Sequence, residues 1–207
     1  MSEAREAVLA RIRTALADGA AVPEVPRDYR DAGTDAAYEV VARFVAQVEE
    51  LGGAVVPGGD ARAAIAETLA AEGASRVVVA RDLPDVLRPD GVELVEDDGL
   101  SPWELDALDG ALTTCAVACA DTGTVALDGG PGQGRRAITL VPDLHVCVVA
   151  RGQVVETVPE LFGRLAPSAR QGRPIVLVSG PSATSDLGFE RVEGVHGPRR
   201  FVVVLAP

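Results

Sequence analysis

The chain has 207 residues, a net charge of −12, 47% hydrophobic residues and 3% aromatic residues. That size and apolar content suit one α/β domain with its own core, and they exclude disorder as the default. The acidic balance and scarce aromatic rings argue against nucleic acid and anionic membrane, and because all 19 basic residues are Arg there is no lysine for a Schiff base or a P-loop.

Residues 2–17 read as an amphipathic helix: Ser2 caps it, Val8, Leu9, Ile12 and Leu16 form one stripe, and Asp18-Gly19 ends it. Residues 19–34 mix Gly, Pro and Asp without periodicity and read as a linker. Residues 1–34 are therefore set apart from a domain spanning 35–207. A second helix is expected over about 35–51, with Tyr38, Val41, Val45 and Val48 inward and Gly52-Gly53 as its stop. No apolar run approaches a membrane span and residues 1–17 lack a signal pattern, so a cytoplasmic location is expected.

A regular alternation follows. Strands are expected at Ala54 to Val56, Arg76 to Ala80 and Val92 to Val95, with helices at Ala61 to Glu72 and Asp82 to Leu87. Ser101-Pro102-Trp103-Glu104 and Thr157-Val158-Pro159-Glu160 each open a helix, because Ser or Thr caps it and Glu reaches back to the cap amide. The second of these helices points Leu161 and Leu165 inward. Thr113 to Ala120 reads as one strand, Thr124 to Leu127 as the next and His145 to Val149 as a third, which suggests an antiparallel excursion. Ile175 to Val178 and Phe201 to Leu205 are expected to close the sheet. The fold class is α/β: a single domain with a mostly parallel open sheet and helices on both faces. The acidic residues at 93, 96, 97 and 98 read as a solvated edge.

The candidate chemistry lies in polar turns. Asp121, Thr122, Gly123 and Thr124 separate two apolar strands, either as a hairpin turn or as a polar cluster at a strand end. The loop from Gly129 to Gly134 leads to Arg135 and Arg136, whose guanidiniums suit a carboxylate or phosphate. Ser179, Gly180, Ser182, Thr184 and Asp186 leave a strand, and His196, Arg199 and Arg200 follow in a second small-residue turn. His196, between two glycines, is the better acid–base candidate, and His145 at a strand start reads as a hydrogen-bonded structural residue. Cys115, Cys119 and Cys147 read as buried thiols. Cys115 and Cys119 in one strand would stand roughly 13 Å apart, too far to share an iron, and a cluster wants four cysteines. No catalytic residue and no metal site is assigned.

Three motifs in order, ADTGT at 120–124 with GRRAITLVPDLH at 134–145, SGPSATSD at 179–186 and GVHGPRR at 194–200, resemble the LUD-domain family, in its lactate-utilisation branch. The resemblance runs over nearly the whole chain. It departs from the family's common pattern at Ala183, where a basic residue is frequent, and at Gly188, where an acidic one is. The resemblance implies the fold of ribose-5-phosphate isomerase, glucosamine-6-phosphate deaminase and the CoA transferases. It further implies a small, cluster-free subunit that works with two iron–sulfur partner proteins in oxidising L-lactate to pyruvate. These turns would then frame a cleft for a small carboxylate or a contact surface. The alternative it leaves is a free-standing isomerase- or transferase-like enzyme, or a binding module, for a phosphorylated or thioester small molecule.

Overall fold

The computed structural model describes residues 3–17, 19, 24–28, 31–184 and 192–207. Six parallel strands form the main sheet, in the order β1 (Ala54–Pro57), β12 (Arg200–Ala206), β7 (Leu144–Ala150), β4 (Gly110–Thr114), β2 (Arg76–Val79) and β3 (Glu93–Glu96). A second sheet of four short strands is ordered β8 (Val154–Val155), β5 (Val117–Cys119), β6 (Thr124–Leu127) and β9 (Val176–Val178). A third pair, β10 (Ala183–Thr184) with β11 (Val192–Glu193), is antiparallel. The α/β class with a mostly parallel sheet is therefore as the sequence implies.

Burial follows the two faces of the sheet. Alternate residues of β7 and β12 point opposite ways, so Val146, Val148, Val202 and Val204 meet Ile65 and Leu69 of α3 (Ala61–Ala71). Cys147, Val149, Phe201, Val203 and Leu205 face the other way, toward Phe44 and Val48 of α2 (Ala37–Glu50) and the inner side of the small sheet. Phe44 and Val48 are fully buried, worth about 1.5–3 kcal/mol each relative to exposure. On this same face, Leu105 of α4 (Pro102–Asp106) packs with Ile138 against Val78 and Ala111. Leu161 and Leu165 of α5 (Val158–Arg170) cover the outer side of the small sheet, as their spacing implies.

The capping signals form as expected. Glu104 Oε2 accepts from Ser101 N at 2.8 Å, and Glu160 Oε2 accepts from Thr157 N at 2.8 Å. Each carboxylate is held below its usual range, mainly by the cap hydroxyl for Glu104 and by the cap amide for Glu160.

Several expectations are corrected. The stretch 113–120 is two strands in two sheets. The chain leaves the main sheet at Cys115, where Thr114 N donates to Gly132 O, and enters the small sheet where Ala116 N donates to Ala126 O. β9 is an edge of the small sheet and β12 lies inside the main one, so this pair does not close a single sheet. The stretch 82–87 holds only a 3-10 turn at Asp85–Leu87. On α2, Tyr38 is exposed, and Val40, Val41, Phe44 and Val48 form the buried face. The first helix, α1 (Glu3–Leu16), forms as expected but buries none of its residues; Val8, Ile12 and Leu16 are exposed, and Ser2 and Asp18 lie outside the described residues. Asp97 is not a solvated edge: its side chain is 6% exposed and pairs with Arg135 at 2.6 Å. That pairing holds its carboxyl below the ordinary range. Among the described residues no helix is long and apolar enough to cross a membrane.

Candidate functional site

A cavity of about 230 Å³ opens where β7 and β12 begin. Three segments line it. The first is the 3-10 turn Arg136–Thr139, the second runs from Leu177 to Ala183 off the end of β9, and the third is His196 to Pro198. His145 and Phe201, one residue into their strands, complete the wall, with ring centroids 5.4 Å apart.

Cross-chain bonds hold the outer wall in place. Ser182 N donates to Pro198 O at 2.8 Å, Gly194 N donates to Ser182 O at 2.9 Å, and His196 N donates to Ser182 Oγ at 2.9 Å. Gly180 adopts φ +79, and a Cβ there would meet the Leu51 carbonyl oxygen at 2.8 Å. Only glycine lets the chain turn this close to the end of α2.

Arg136 differs from its neighbour. Its Nη1 donates to Thr139 O at 2.9 Å and Thr139 Oγ1 at 3.0 Å, and among the described residues no carboxylate pairs with it. Burial lowers its pKa from the ordinary guanidinium value, but a guanidinium remains charged at neutral pH. The result is a half-buried cation at the cavity wall that meets no anion among the described residues.

His145 is 1% exposed. Its Nε2 meets Thr113 Oγ1 at 2.8 Å, while Nδ1 is buried without a hydrogen-bond partner. Buried polar atoms are nearly always satisfied by protein, water or ligand, and His145 is one of the residues that line the cavity. The strand-start context had suggested a satisfied structural residue. Only the sheet order, which puts β7 between β12 and β4, reveals that His145 is interior.

The remaining candidate residues divide. Ser179, Gly180, Ser182 and His196 line the cavity with Arg136. Thr124 stands directly behind, its Oγ1 2.7 Å from Ser179 Oγ and 2.7 Å from Thr122 Oγ1. Gly123, at φ +56, lies so close to α2 that a Cβ would be 2.8 Å from the Gln47 carbonyl carbon. Asp121 accepts from Arg43 Nη1 at 3.0 Å, and Arg43 also pairs with Asp35 and Glu156, which ties the end of the linker, α2 and the hairpin together. Arg135 points away, to Asp97. Arg199 pairs with Asp143 at 2.8 Å, and Arg200 with Glu72 at 2.7 Å beyond α3. Thr184 lies in β10, and Asp186 lies outside the described residues.

A second opening, of about 560 Å³, lies where β4, β7 and β12 end and includes Cys115, Asp128, Gln133, Gln153, Arg164 and Arg173. The carboxyl ends of parallel strands are the usual ligand side of open α/β sheets. Here most polar groups are used internally. Asp128 accepts from Ser168 Oγ and from Gly130 N at 3.0 Å, and pairs with Arg173 at 3.2 Å. Burial pushes the Asp128 carboxyl up, but these hydrogen bonds and Arg173 hold it below its ordinary value. Gln153 donates to Cys115 O at 2.8 Å and accepts from Ala150 N at 2.9 Å. Arg173 Nε is buried without a partner. All three cysteines are buried free thiols, and among the described residues no cluster of three metal-ligating side chains occurs.

The LUD domain model matches residues 103–206, which carry every wall of the cavity. Over 207 residues the sequence is 40% identical to the lactate utilization protein C of Deinococcus radiodurans, an overlap of 99% of this chain and 96% of the other. The chain belongs to the LUD-domain family. A lactate utilization protein C of Bacillus velezensis is 26% identical over 125 residues, covering 53% of this chain and 52% of its own. The crystal structure of a DUF162 family protein from Deinococcus radiodurans superposes with a TM-score of 0.74 at 37% identity, covering 84% of this LUD chain and all of that one.

Proposed function

We propose that this LUD protein is the small, cluster-free component of a lactate-utilisation system, and that its cavity takes a small carboxylate. Its relatives' names support the lactate assignment. One observation carries the choice of site: Arg136, which pairs with no carboxylate among the described residues, and His145, whose Nδ1 has no partner among them, line the same small cavity. A guanidinium fork meets both oxygens of a carboxylate, and the imidazole is left to contact a second polar group of the same ligand. His196 and Ser182 stand at the mouth, where they contact whatever enters. Iron–sulfur partner proteins would supply the redox chemistry, and this chain would contribute ligand recognition, orientation and partial exclusion of water.

The test has two arms. Titration of the full chain with L-lactate and pyruvate should give a saturable heat that Arg136→Ala removes. Pull-down of the tagged chain from its native host should bring brown, iron-containing proteins with lactate-dependent dye reduction. A colourless solitary protein that binds neither acid would contradict the reading and favour the free-standing enzyme or binding module.

A further inference from the structure

A further cavity, of about 120 Å³, lies where β6 ends and β9 begins. Leu127 and Val176, register partners on those strands, line it together with Pro174, Gly129 and Gly134. Leu127 is buried, and Val176 packs against the same core cluster, so this wall is apolar. The polar side chains beside it are engaged elsewhere: Gln133 Oε1 accepts from Asp128 N at 2.7 Å, and Arg135 pairs with Asp97. Arg136 and Thr139 line both this cavity and the larger one at the starts of β7 and β12.

One short turn sets that common wall. Arg136 Nη1 donates to Thr139 O and Oγ1, and Thr139 Oγ1 donates to Arg136 O at 3.3 Å. Nε and Nη2 of Arg136 form no hydrogen bond among the described residues. Those two nitrogens make one edge of the planar guanidinium, a fork that meets both oxygens of a carboxylate. A carboxylate held on it stands at the boundary of two unlike compartments. On one side are His145, Ser182 and His196; on the other are Leu127 and Val176. A small apolar space with few polar partners holds water poorly and is stabilised by hydrocarbon.

We propose that the site takes unbranched 2-hydroxy acids longer than lactate, with the carboxylate on Arg136 and the alkyl tail in the compartment of Leu127 and Val176. This rests on the carboxylate reading of the site. The methyl group of lactate is too short to fill that compartment. Each further methylene that leaves water for it raises affinity about fourfold.

The experiment is calorimetric titration of the full chain with L-lactate, L-2-hydroxybutyrate and L-2-hydroxypentanoate, which share a head group and differ only in the tail. Affinity should rise about fourfold at each step. In methyl-labelled protein, L-2-hydroxypentanoate should shift the Leu127 and Val176 methyl signals more strongly than L-lactate does. Val176→Phe, which fills the compartment, should bring the three affinities to within about twofold of one another, and Val176→Ala should keep the rise with length. Affinities that are equal, or that fall with length, overturn the inference and leave the carboxylate reading standing. Methyl signals of Leu127 and Val176 that ignore the longest acid do the same. No binding of any of the three acids removes the carboxylate reading and the inference with it. Should Val176→Phe not fold, the length series and the methyl shifts of the parent protein still decide.

Discussion

The larger opening lies at the carboxyl ends of β4, β7 and β12, the smaller at the amino ends of β7 and β12, at about 560 Å³ against about 230 Å³. Size and the general habit of parallel sheets both favour the first. Its polar groups, however, mostly bind one another: Asp128 with Ser168, Gly130 and Arg173, and Gln153 with Cys115 and Ala150. At the smaller cavity, among the described residues, Arg136 meets no carboxylate and His145 Nδ1 meets no partner. Internal satisfaction marks a scaffold, and unmet polar groups at a cavity wall mark a place that awaits a ligand. Arg173 Nε is likewise unmet at the larger opening, but Nη2 of the same side chain is held by Asp128 and Ser168. Arg136 at the smaller cavity meets no carboxylate among the described residues, and that difference favours the amino-end cavity over an opening more than twice its volume.

If this contrast holds, substitutions at the two openings should fail in different ways. Asp128→Ala removes the acceptor that satisfies Ser168 and Arg173 in a site where the carboxylate is about 10% exposed. Because Arg173 is partly exposed, removing its carboxylate and the acceptor of Ser168 costs about 1–3 kcal/mol. Denaturant unfolding should show that loss, with L-lactate affinity of the folded fraction unchanged. Gly123→Ala should cost about 1–3 kcal/mol, because φ +56 and the backbone of α2 leave no room for a Cβ. Its thermal midpoint should fall without a change in ligand selectivity. Arg136→Ala should reverse the pattern. Its internal bonds reach only Thr139, so stability should change by about 1 kcal/mol or less, while carboxylate affinity falls at least about tenfold.

The smallest effect separates the two adjacent arginines. Arg135 is occupied by Asp97, whose carboxyl is held below its ordinary value chiefly by that hydrogen bond. A depressed folded-state pKa gives stability that is present above the unfolded value, near 3.8, and is lost as pH falls through the folded one. Asp97→Asn should therefore be less stable than the parent at neutral pH, with the gap closing as the solution is taken below pH about 4. Urea midpoints measured across that range check it. Ligand affinity should be indifferent to this change, in contrast to Arg136→Ala.

The parts of the fold legible in the sequence were those decided locally. Ser101 with Glu104 and Thr157 with Glu160 lie three residues apart, so both caps could be read directly. The inward positions of Leu161 and Leu165 follow from helical spacing alone. The break at Cys115 could not be read, because the residues on either side are equally suited to a strand. What divides them is pairing with Gly132 and Ala126, each more than nine residues away. Asp97 looked solvated because its partner lies 38 positions on. The candidate turns were legible as polar interruptions, but neighbours within them proved unlike: Arg135 is tied to Asp97 and Arg136 is not. The hydrogen bond of His145 to Thr113 agrees with a structural residue at a strand start, whereas its burial and its unpartnered Nδ1 depend on the strand order, which no local pattern records.

The most direct measurement is a map of amide and histidine-ring NMR shifts in the full chain as L-lactate is added. Saturable shifts concentrated at Arg136, His145, Ser179 to Ser182 and His196, with Cys115, Gln153 and Arg173 unmoved, are the predicted result. Shifts centred on Cys115, Gln153 and Arg173 would place the ligand at the carboxyl-end opening and contradict the account.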